Sequence, residues 1–498
     1  MFSKILIANR GEIAIRIMRT CREMGIATVA VFSDADRKSR HVRYADEAYC
    51  IGPAPAMDSY LDGDAILEAG RRAGAQAIHP GYGFLSENRN FAHKCRQAGL
   101  VFIGPQPDVI EQMGNKTVAR KTMLANGVPV IPGTTEVLED LEAVRRVCGE
   151  IGLPVMLKAA SGGGGKGMRI VTDENDLQDA FSAVRRESYA SFADSRILVE
   201  RYFPVARHIE VQILADGHGN VMHLFERECS IQRRYQKVVE ECPSAFVDDD
   251  LRAKLTSAAV QAAAAVGYTG AGTVEFLVDE AKNFYFLEMN TRLQVEHSVT
   301  ELVTGIDLVR EQLFAAAGER LSITQTDIRR RGFAMECRIY AEDPGNEYMP
   351  APGQVRKAVF PEGPGIRVDS GVYEGWDVSR HYDPMIAKIS VWARTREQAR
   401  CRMLRALDEC IVYGVKTNLD LHRWILTDER FIRGMIDTRF LDHYLAGHPA
   451  PDLQPDLAII ASVCSVLSSS PDSEDSIARE ETGLWRMASK YQFWATRF

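Results

Sequence analysis

The sequence predicts a chain that begins as an α/β unit with a doubly wound parallel sheet and continues as α+β. Three observations carry this. Strand-like and helical runs alternate over residues 4–103, an antiparallel-hairpin pattern fills residues 273–297, and hairpin-spaced strands followed by helices occupy residues 332–446. At 498 residues, 46% hydrophobic and 26% charged, the composition is that of a globular enzyme of about three domains. A net charge of −8, from 60 basic and 68 acidic residues, argues against a sequence-independent grip on nucleic acid. Ten cysteines without a CxxC pair disfavour a zinc ribbon or redox motif and fit reduced thiols in the cytoplasm. The start, MFSKILIANRGE, reads as a strand, not a signal peptide, and the apolar run 457–467 is too short to span a membrane.

The opening alternation places strands at 4–8, 27–32, 75–79 and 100–103, and helices at 12–24 and 86–98. NRGEIAIR has one glycine where a dinucleotide fingerprint needs three, so no NAD site is expected there. The loop HPGYGFLSEN, residues 79–88, is either a ligand loop at a sheet's carboxyl end or a plain tight turn. A helical segment carrying Lys116 follows, and Pro129, Pro132 and Gly133 mark a boundary.

PVMLKAASGGGGKGMRIVT, residues 154–172, sets four consecutive glycines between two strands, a flap whose bare backbone can approach phosphate oxygens. Its GxGxxG match at Gly162, Gly164 and Gly167 lacks the strand-to-helix context, and Gly167 after Lys166 breaks the P-loop pattern. A flexible linker is the alternative; Lys158 on the preceding strand favours a phosphate site. In ILVERYFPVARHIEVQILAD, Glu200 and the aromatic residues after it resemble an adenine-edge hinge. ERECSIQRRYQKVVEE then concentrates Arg227, Arg233, Arg234 and Lys237, read as an anion site in preference to a solvated face.

In TVEFLVDEAKNFYFLEMNTRLQVEH, a turn joining Asp279 to Phe284 sets Glu275 opposite Glu288. Like charges across a ladder repel, and a divalent cation would remove the conflict. Glu288, Asn290, Arg292, Gln294 and Glu296 occupy even positions, and Met289, Leu293 and Val295 odd ones. Extended chain puts the five polar groups on one face, either a solvated side or a metal and anion site. Farther on, strands are expected at 333–340, 354–360, 366–372 and 385–392, and helices from 396–413 onward. Arg338 inside the first of these requires a ligand or a carboxylate, with Glu342 or Glu336 as the plain salt-bridge alternative.

NRGEIAIR, HPGYGFLSEN, SGGGGKGMR, RHIEVQILAD, ERECSIQRR, QKVVEE, GAGTVEFL, FLEMNTRLQVEH and ECRIYAEDP stand in this order over residues 1–446. In that order and spacing they resemble the biotin carboxylase component of biotin-dependent carboxylases of the acetyl-CoA, acyl-CoA and pyruvate type, an ATP-grasp fold. The resemblance implies an N-terminal domain at 1–113, an ATP-grasp domain at 114–330 with a glycine-rich lid at about 131–203, and a C-terminal domain at 331–446. A linker and aromatic tail at 447–498 resembles the start of the region that follows the carboxylase domain in longer acyl-CoA carboxylase chains.

The resemblance further implies that Lys116, Lys158 and the flap (Gly162, Gly163, Gly164, Gly165, Lys166, Gly167) hold ATP phosphates. Glu200, Arg201, Tyr202 and Phe203 offer the adenine edge; His208, Gln232, Tyr235, Lys237 and Leu277 complete the pocket. Glu275, Glu288 and Asn290 hold Mg²⁺ or Mn²⁺, two ions in all, with Glu275 and Glu288 also bordering ATP. Bicarbonate and biotin are implied to meet Lys237, Arg292, Gln294, the Val295 N–H, Glu296 and Arg338, with Glu296 the base, Arg292 the anion fork and Arg338 the enolate donor. Tyr235 departs from the family's usual histidine, and Arg201 from a frequent lysine. The absence of an MK dipeptide implies that biotin rides on a separate carrier protein or domain. Carboxyltransferase subunits and a homodimeric state are also implied, with no nucleic-acid or membrane partner. The alternatives are another ATP-grasp ligase or an inactive scaffolding subunit.

Overall fold

The computed structural model describes residues 1–160, 167–192 and 194–447. The glycines of the flap from Gly162 to Gly165, Lys166 and the aromatic tail therefore lie outside the described residues.

Five parallel strands open the chain: β1 (Lys4–Ile7), β2 (Ala27–Ser33), β3 (Glu47–Gly52), β4 (Ala77–His79) and β5 (Val101–Phe102), in the order β3-β2-β1-β4-β5. The continuous apolar run of β1 is what burial on both faces requires. Ile5 and Ile7 pack with Ile13, Ile17 and Met18 of helix Gly11–Glu23, while Leu6 joins Ile66 and Leu67 of helix Gly63–Ala73. Strand β3 and helix Gly63–Ala73 have no counterpart in the sequence reading. β3 is an edge strand only partly buried, so its apolar signal is weak.

A small antiparallel sheet follows, ordered β7-β6-β8, from β6 (Val155–Ala159), β7 (Met168–Val171) and β8 (Ile197–Arg201). The ends of the flap are tied where it leaves this sheet: the Ala159 N–H donates to the Gly167 carbonyl at 2.8 Å, and the Gly167 N–H to Glu187 at 3.1 Å. Gly167 has a φ of +67°, and a Cβ there would stand 2.9 Å from that of Ala159, so both conformation and space demand glycine.

The site is organised by one eight-stranded antiparallel sheet. Its strands are β9 (Ala206–Ala215), β10 (Val221–Arg233), β11 (Gln236–Cys242), β12 (Gly270–Asp279), β13 (Phe284–Asn290), β14 (Phe333–Tyr340), β15 (Ile366–Ser370) and β16 (Met385–Ala393). The order is β13-β12-β9-β10-β11-β14-β16-β15. Helix Asp249–Ala265 covers one part through Leu255, Ala259 and Ala262 against Ile209, Val211 and Phe276. Helix Arg396–Glu409 covers the other, with Ala399, Met403 and Ala406 against Cys337, Ile339 and Ile389.

The hairpin β12–β13 sets Glu275 opposite Glu288, as its pattern predicts, though by another route. The ladder nearest the turn pairs Val278 with Phe284, one residue out of the expected register, and a bulge at Leu287 restores the pairing. The polar face expected to run from Glu288 to Glu296 stops at Asn290. Residues 291–296 leave the ladder and turn into helix His297–Thr304. Two other spans also differ. The predicted strand 354–360 is two short strands, Gly353–Gln354 and Lys357–Val359, with separate partners, and the predicted helix 396–413 ends at Glu409 before strand Ile411–Tyr413.

The N-terminal helix meets the β15 edge without clearance: a Cβ on Gly371 would lie 2.9 Å from both the Cα and the carbonyl carbon of Gly11. Gly371→Ala is expected to cost about 1–3 kcal/mol by overpacking, read from the urea midpoint. A wild-type midpoint would contradict so close an approach.

Candidate active site

Strands β9, β10, β12 and β13 carry the candidate site as rows across one face. Glu288, Glu275, Glu210 and Arg227 are successive cross-strand partners, and so are Asn290, Thr273 and Gln212. His208, Leu277 and Tyr285 form the next row. The period of two predicts this stacking once the register is known.

Lys237 holds the rows together. Its ammonium donates to Glu210 at 2.6 Å, Glu275 at 2.9 Å and Glu296 at 2.7 Å, using all three N–H bonds. Arg338 donates from Nε to Glu240 at 2.6 Å and from Nη2 to Glu296 at 2.9 Å. Its partners are thus Glu240 and Glu296, not the Glu342 or Glu336 of the salt-bridge alternative. Burial opposes ionisation of Glu296 and Glu275, but nearby cations win. Lys237, Arg338 and Arg227 hold Glu296 well below the usual carboxylate range, and Lys237 and His208 do the same for Glu275. Glu240, fully buried and cross-strand from Glu336, is pushed the other way, to about 8, by burial and by the charges of Glu336 and Glu296 against the pull of Arg338.

The basic cluster divides. Arg227, wholly buried, spends five donors on Glu210, Gln212, Thr300, Thr273 and Gln294, so it is a brace and not an anion contact. Arg233 pairs with Glu342 at 2.6 Å and Arg234 with Glu347 at 2.9 Å. Of that run, Lys237 and Arg227 join the carboxylate cluster, Lys237 through three carboxylates and Arg227 through Glu210.

Beyond β13, Arg292 donates Nε to Glu87 at 2.9 Å and Nη2 to Asn290 Oδ1 at 2.8 Å. Glu87, in the loop first noted for its glycines, also accepts from the Thr291 N–H at 2.9 Å. The Gln294 amide donates to Glu275 at 2.9 Å and accepts from Arg227 at 2.9 Å, while the Val295 carbonyl takes a 2.6 Å bond from Lys388. Sequence reasoning did not single out Glu87, Glu210, Glu240 or Lys388. For Glu210 and Lys388 the signal was present as a charge inside an otherwise apolar strand, HIEVQILA and MIAKISVWA.

At the nucleotide end, Lys158 pairs with Glu200, which also lies 3.4 Å from Arg120. Burial and the neighbouring Lys158 lower the pKa of Lys116, at the start of helix Lys116–Ala125, against the pull of Glu288 and Glu200. The Arg201 and Tyr202 N–H groups are already given to Pro132 and Pro154, so an adenine edge here must draw on other backbone groups of the hinge. Phe203 stacks on Tyr285 at 5.0 Å. His208 lies between Gln232, 3.1 Å from Nδ1, and Glu275, 3.0 Å from Nε2. Tyr235 is 59% exposed and sits with Arg234 in a two-residue hairpin turn, both at positive φ (64° and 49°) without glycine.

The residues fit a divalent cation at the mouth of the carboxylate row. Glu275 faces Glu288 directly, and burial with the charges of Glu275 and Glu87 raises the pKa of Glu288, a repulsion that a cation would relieve. The Asn290 amide already touches Glu275, at 3.0 Å. His208, Glu210 and Glu275 form a tighter group, with ligand atoms within 4.8 Å of one another, but the Lys237 ammonium already bonds both its carboxylates.

A lid sheet, a lysine pair and a metal-capable carboxylate hairpin on an antiparallel sheet define an ATP-grasp ligase. Comparison with known proteins narrows the class. Residues 1–110 match the biotin carboxylase N-terminal domain, 115–324 the carbamoyl-phosphate synthase L chain ATP-binding domain, and 336–443 the biotin carboxylase C-terminal domain. Biotin carboxylase 1 of Bacillus subtilis is 48% identical over 89% of this chain and 99% of its own. The biotin carboxylase of Halalkalibacterium halodurans is 52% identical over 89% of this chain and 98% of its own. Among solved structures, the biotin carboxylase domain dimer of Hydrogenobacter thermophilus 2-oxoglutarate carboxylase, in complex with MgADP, ADP and bicarbonate, superposes with a TM-score of 0.86 at 46% identity, covering 89% of this chain and 98% of that one. The chain belongs to the biotin carboxylase family, and its activity is the ATP-dependent carboxylation of biotin. None of the described helices is long and apolar enough to cross a membrane.

Two outcomes follow from the charge cluster. Arg227→Met removes one of the two cations on Glu210 and leaves Gln212, Gln294, Thr273 and Thr300 without their shared donor, and is expected to cost about 3–5 kcal/mol in urea unfolding; a loss below about 1 kcal/mol would show the brace to be dispensable. Native Glu240 keeps its proton up to about 8, whereas its ordinary value is 4.5. Between those values the native state binds more protons than the unfolded, so this carboxyl makes stability fall as pH rises, by at most about 1.4 kcal/mol per pH unit. Glu240→Gln should flatten that decline in melting temperature between pH 5 and 8, roughly the interval between those values. An unchanged slope would place the proton elsewhere.

Proposed function

We propose that Glu296, Lys237, Arg292 and Arg338 activate bicarbonate against ATP, and that the product carboxylates biotin carried by a separate protein. The observation that carries this reading is Glu296 bonded by Lys237 at 2.7 Å and by Arg338 at 2.9 Å just beyond the metal-capable hairpin. Glu296 takes the bicarbonate proton, the freed oxygen attacks the γ-phosphorus, and the bond to the ADP oxygen breaks to leave carboxyphosphate. Carboxyphosphate splits into CO₂ and phosphate, the phosphate takes the proton from biotin N1′, and that nitrogen adds to CO₂. Lys237 and Lys158 offset charge on the transferring group, Arg292 forks the anion, and Arg338 faces the developing biotin enolate. Mg²⁺ at Glu275, Glu288 and Asn290 supplies charge neutralisation on the phosphates when bound.

Further parts of the reading rest on the family. Lys116, Gly162 to Gly167, the Glu200 to Phe203 hinge, His208, Gln232, Tyr235 and Leu277 border ATP; Gln294 and the Val295 N–H meet bicarbonate. The chain divides into domains at 1–113, 114–330 and 331–446, and the glycine flap closes over ATP. The chain works in the cytoplasm as a homodimer with a biotin carboxyl carrier and a carboxyltransferase.

Glu296→Ala is expected to lower bicarbonate-dependent ADP formation at least about 100-fold, the worth of a general base, while ATP binding by calorimetry stays within about threefold. Wild-type turnover in that variant would remove Glu296 from the chemistry.

A further inference from the structure

Lys388 is a lone charge in the apolar strand β16 and is 0% exposed. Burying an ammonium is expensive unless its donors are met. Here the shortest bond is not to a carboxylate. Nζ donates at 2.6 Å to the Val295 carbonyl, and the nearest carboxylate oxygen, on Glu12, is 3.4 Å away. That carbonyl belongs to the peptide whose N–H is that of Glu296. Glu12 in turn lies in the first turn of helix Gly11–Glu23 and accepts from the Tyr82 hydroxyl in the 79–88 loop. One buried cation therefore joins the N-terminal helix, the last antiparallel strands and the loop that delivers the base.

The loop needs such a tether. Residues 291–296 make no ladder bonds, so the pleat of β13 does not fix the orientation of the 295–296 peptide. From the front, Glu296 is held through its carboxylate by Lys237 and Arg338. Among the described contacts, the Lys388 bond is the one made to the carbonyl of this peptide. Around the ammonium, Arg338 and Asp369 are its cross-strand neighbours, Arg367 binds Asp369 at 2.8 Å, and Glu336 is engaged by Ser298 and Ser390. Burial opposes the charge on Lys388, but Glu12, Glu336 and Asp369 outweigh it and keep the amine protonated.

We propose that Lys388 is a positioning residue for bicarbonate activation: it fixes the Val295–Glu296 peptide and makes the aim of the base depend on the seating of the N-terminal helix. The inference rests on Glu296 as the base, so wild-type kinetics are measured beside the variants. Lys388→Met leaves Glu12 uncompensated and can destabilise the fold, whereas the double variant Glu12→Gln/Lys388→Met removes both charges.

The test is steady-state ADP formation with bicarbonate and ATP varied separately, together with melting temperatures. The expected result is that both variants lose at least about tenfold in kcat/KM for bicarbonate, a loss of about 1.4 kcal/mol in transition-state binding. KM for ATP should stay within about twofold, and the double variant should regain melting temperature without regaining bicarbonate kinetics. Equal losses toward ATP and bicarbonate, recovery of both stability and kinetics in the double variant, wild-type kinetics in Lys388→Met, or a double variant that does not fold would each make Lys388 a structural residue and overturn the inference. A wild-type enzyme without bicarbonate-dependent ADP formation would instead overturn the proposed function.

Discussion

One ammonium group sets the terms for the rest of the site. Without Lys237, the sheet would bring Glu210, Glu275 and Glu296 together in a region almost closed to water, where unpaired carboxylates cannot stay ionised. Its three bonds link β9, β12 and the 291–296 loop. Arg227 behind them and Arg338 beside them complete the balance, so cations and carboxylates depend on one another for charge. A cluster this tightly paired contributes little net stability compared with apolar packing. Its retention in a protein core fits a catalytic use better than a structural one.

The long sheet explains how distant segments serve one reaction. β14 hydrogen-bonds directly to β11, so Arg338 reaches Glu296 although 42 residues separate them. The N-terminal domain contributes from a loop, Glu87 onto Arg292, and from the first turn of its first helix, Glu12 onto Lys388. The described flanks of the glycine run are tied to each other, Ala159 to Gly167, and Gly167 to Glu187. Glu288, Asn290 and Glu296 lie a few residues apart on one chain, and in the proposed mechanism this spacing sets the acceptor of the phosphoryl group beside its donor.

Much of this was legible in the residues alone. Alternation gave the parallel sheet, and the hairpin pattern gave the pairing of Glu275 with Glu288. The bulge at Leu287 was not legible, because a bulge changes the pairing without changing composition. The polar stripe past Asn290 misled for a related reason: a period of two survives in sequence even where the chain has left the ladder. Arg227, Arg233 and Arg234 looked like anion ligands because a run of like charges carries no record of the carboxylates that fold against it. Glu240 and Glu87 are invisible in one dimension, since their importance lies in partners about 100 and 200 residues away. Arg338 was flagged by the opposite logic, as a buried strand charge that needed a partner, though the partners proved to be Glu240 and Glu296.

The central claim is that this carboxylate and cation cluster directs a bicarbonate oxygen onto the γ-phosphorus of ATP. The most direct measurement is turnover with ¹⁸O-labelled bicarbonate and ATP in the presence of biotin, with mass spectrometry of the released phosphate. Attack by bicarbonate predicts one labelled oxygen in each phosphate formed. Phosphate carrying no label from bicarbonate would mean that water or another group is the attacking nucleophile, and the assignment of the site would fall.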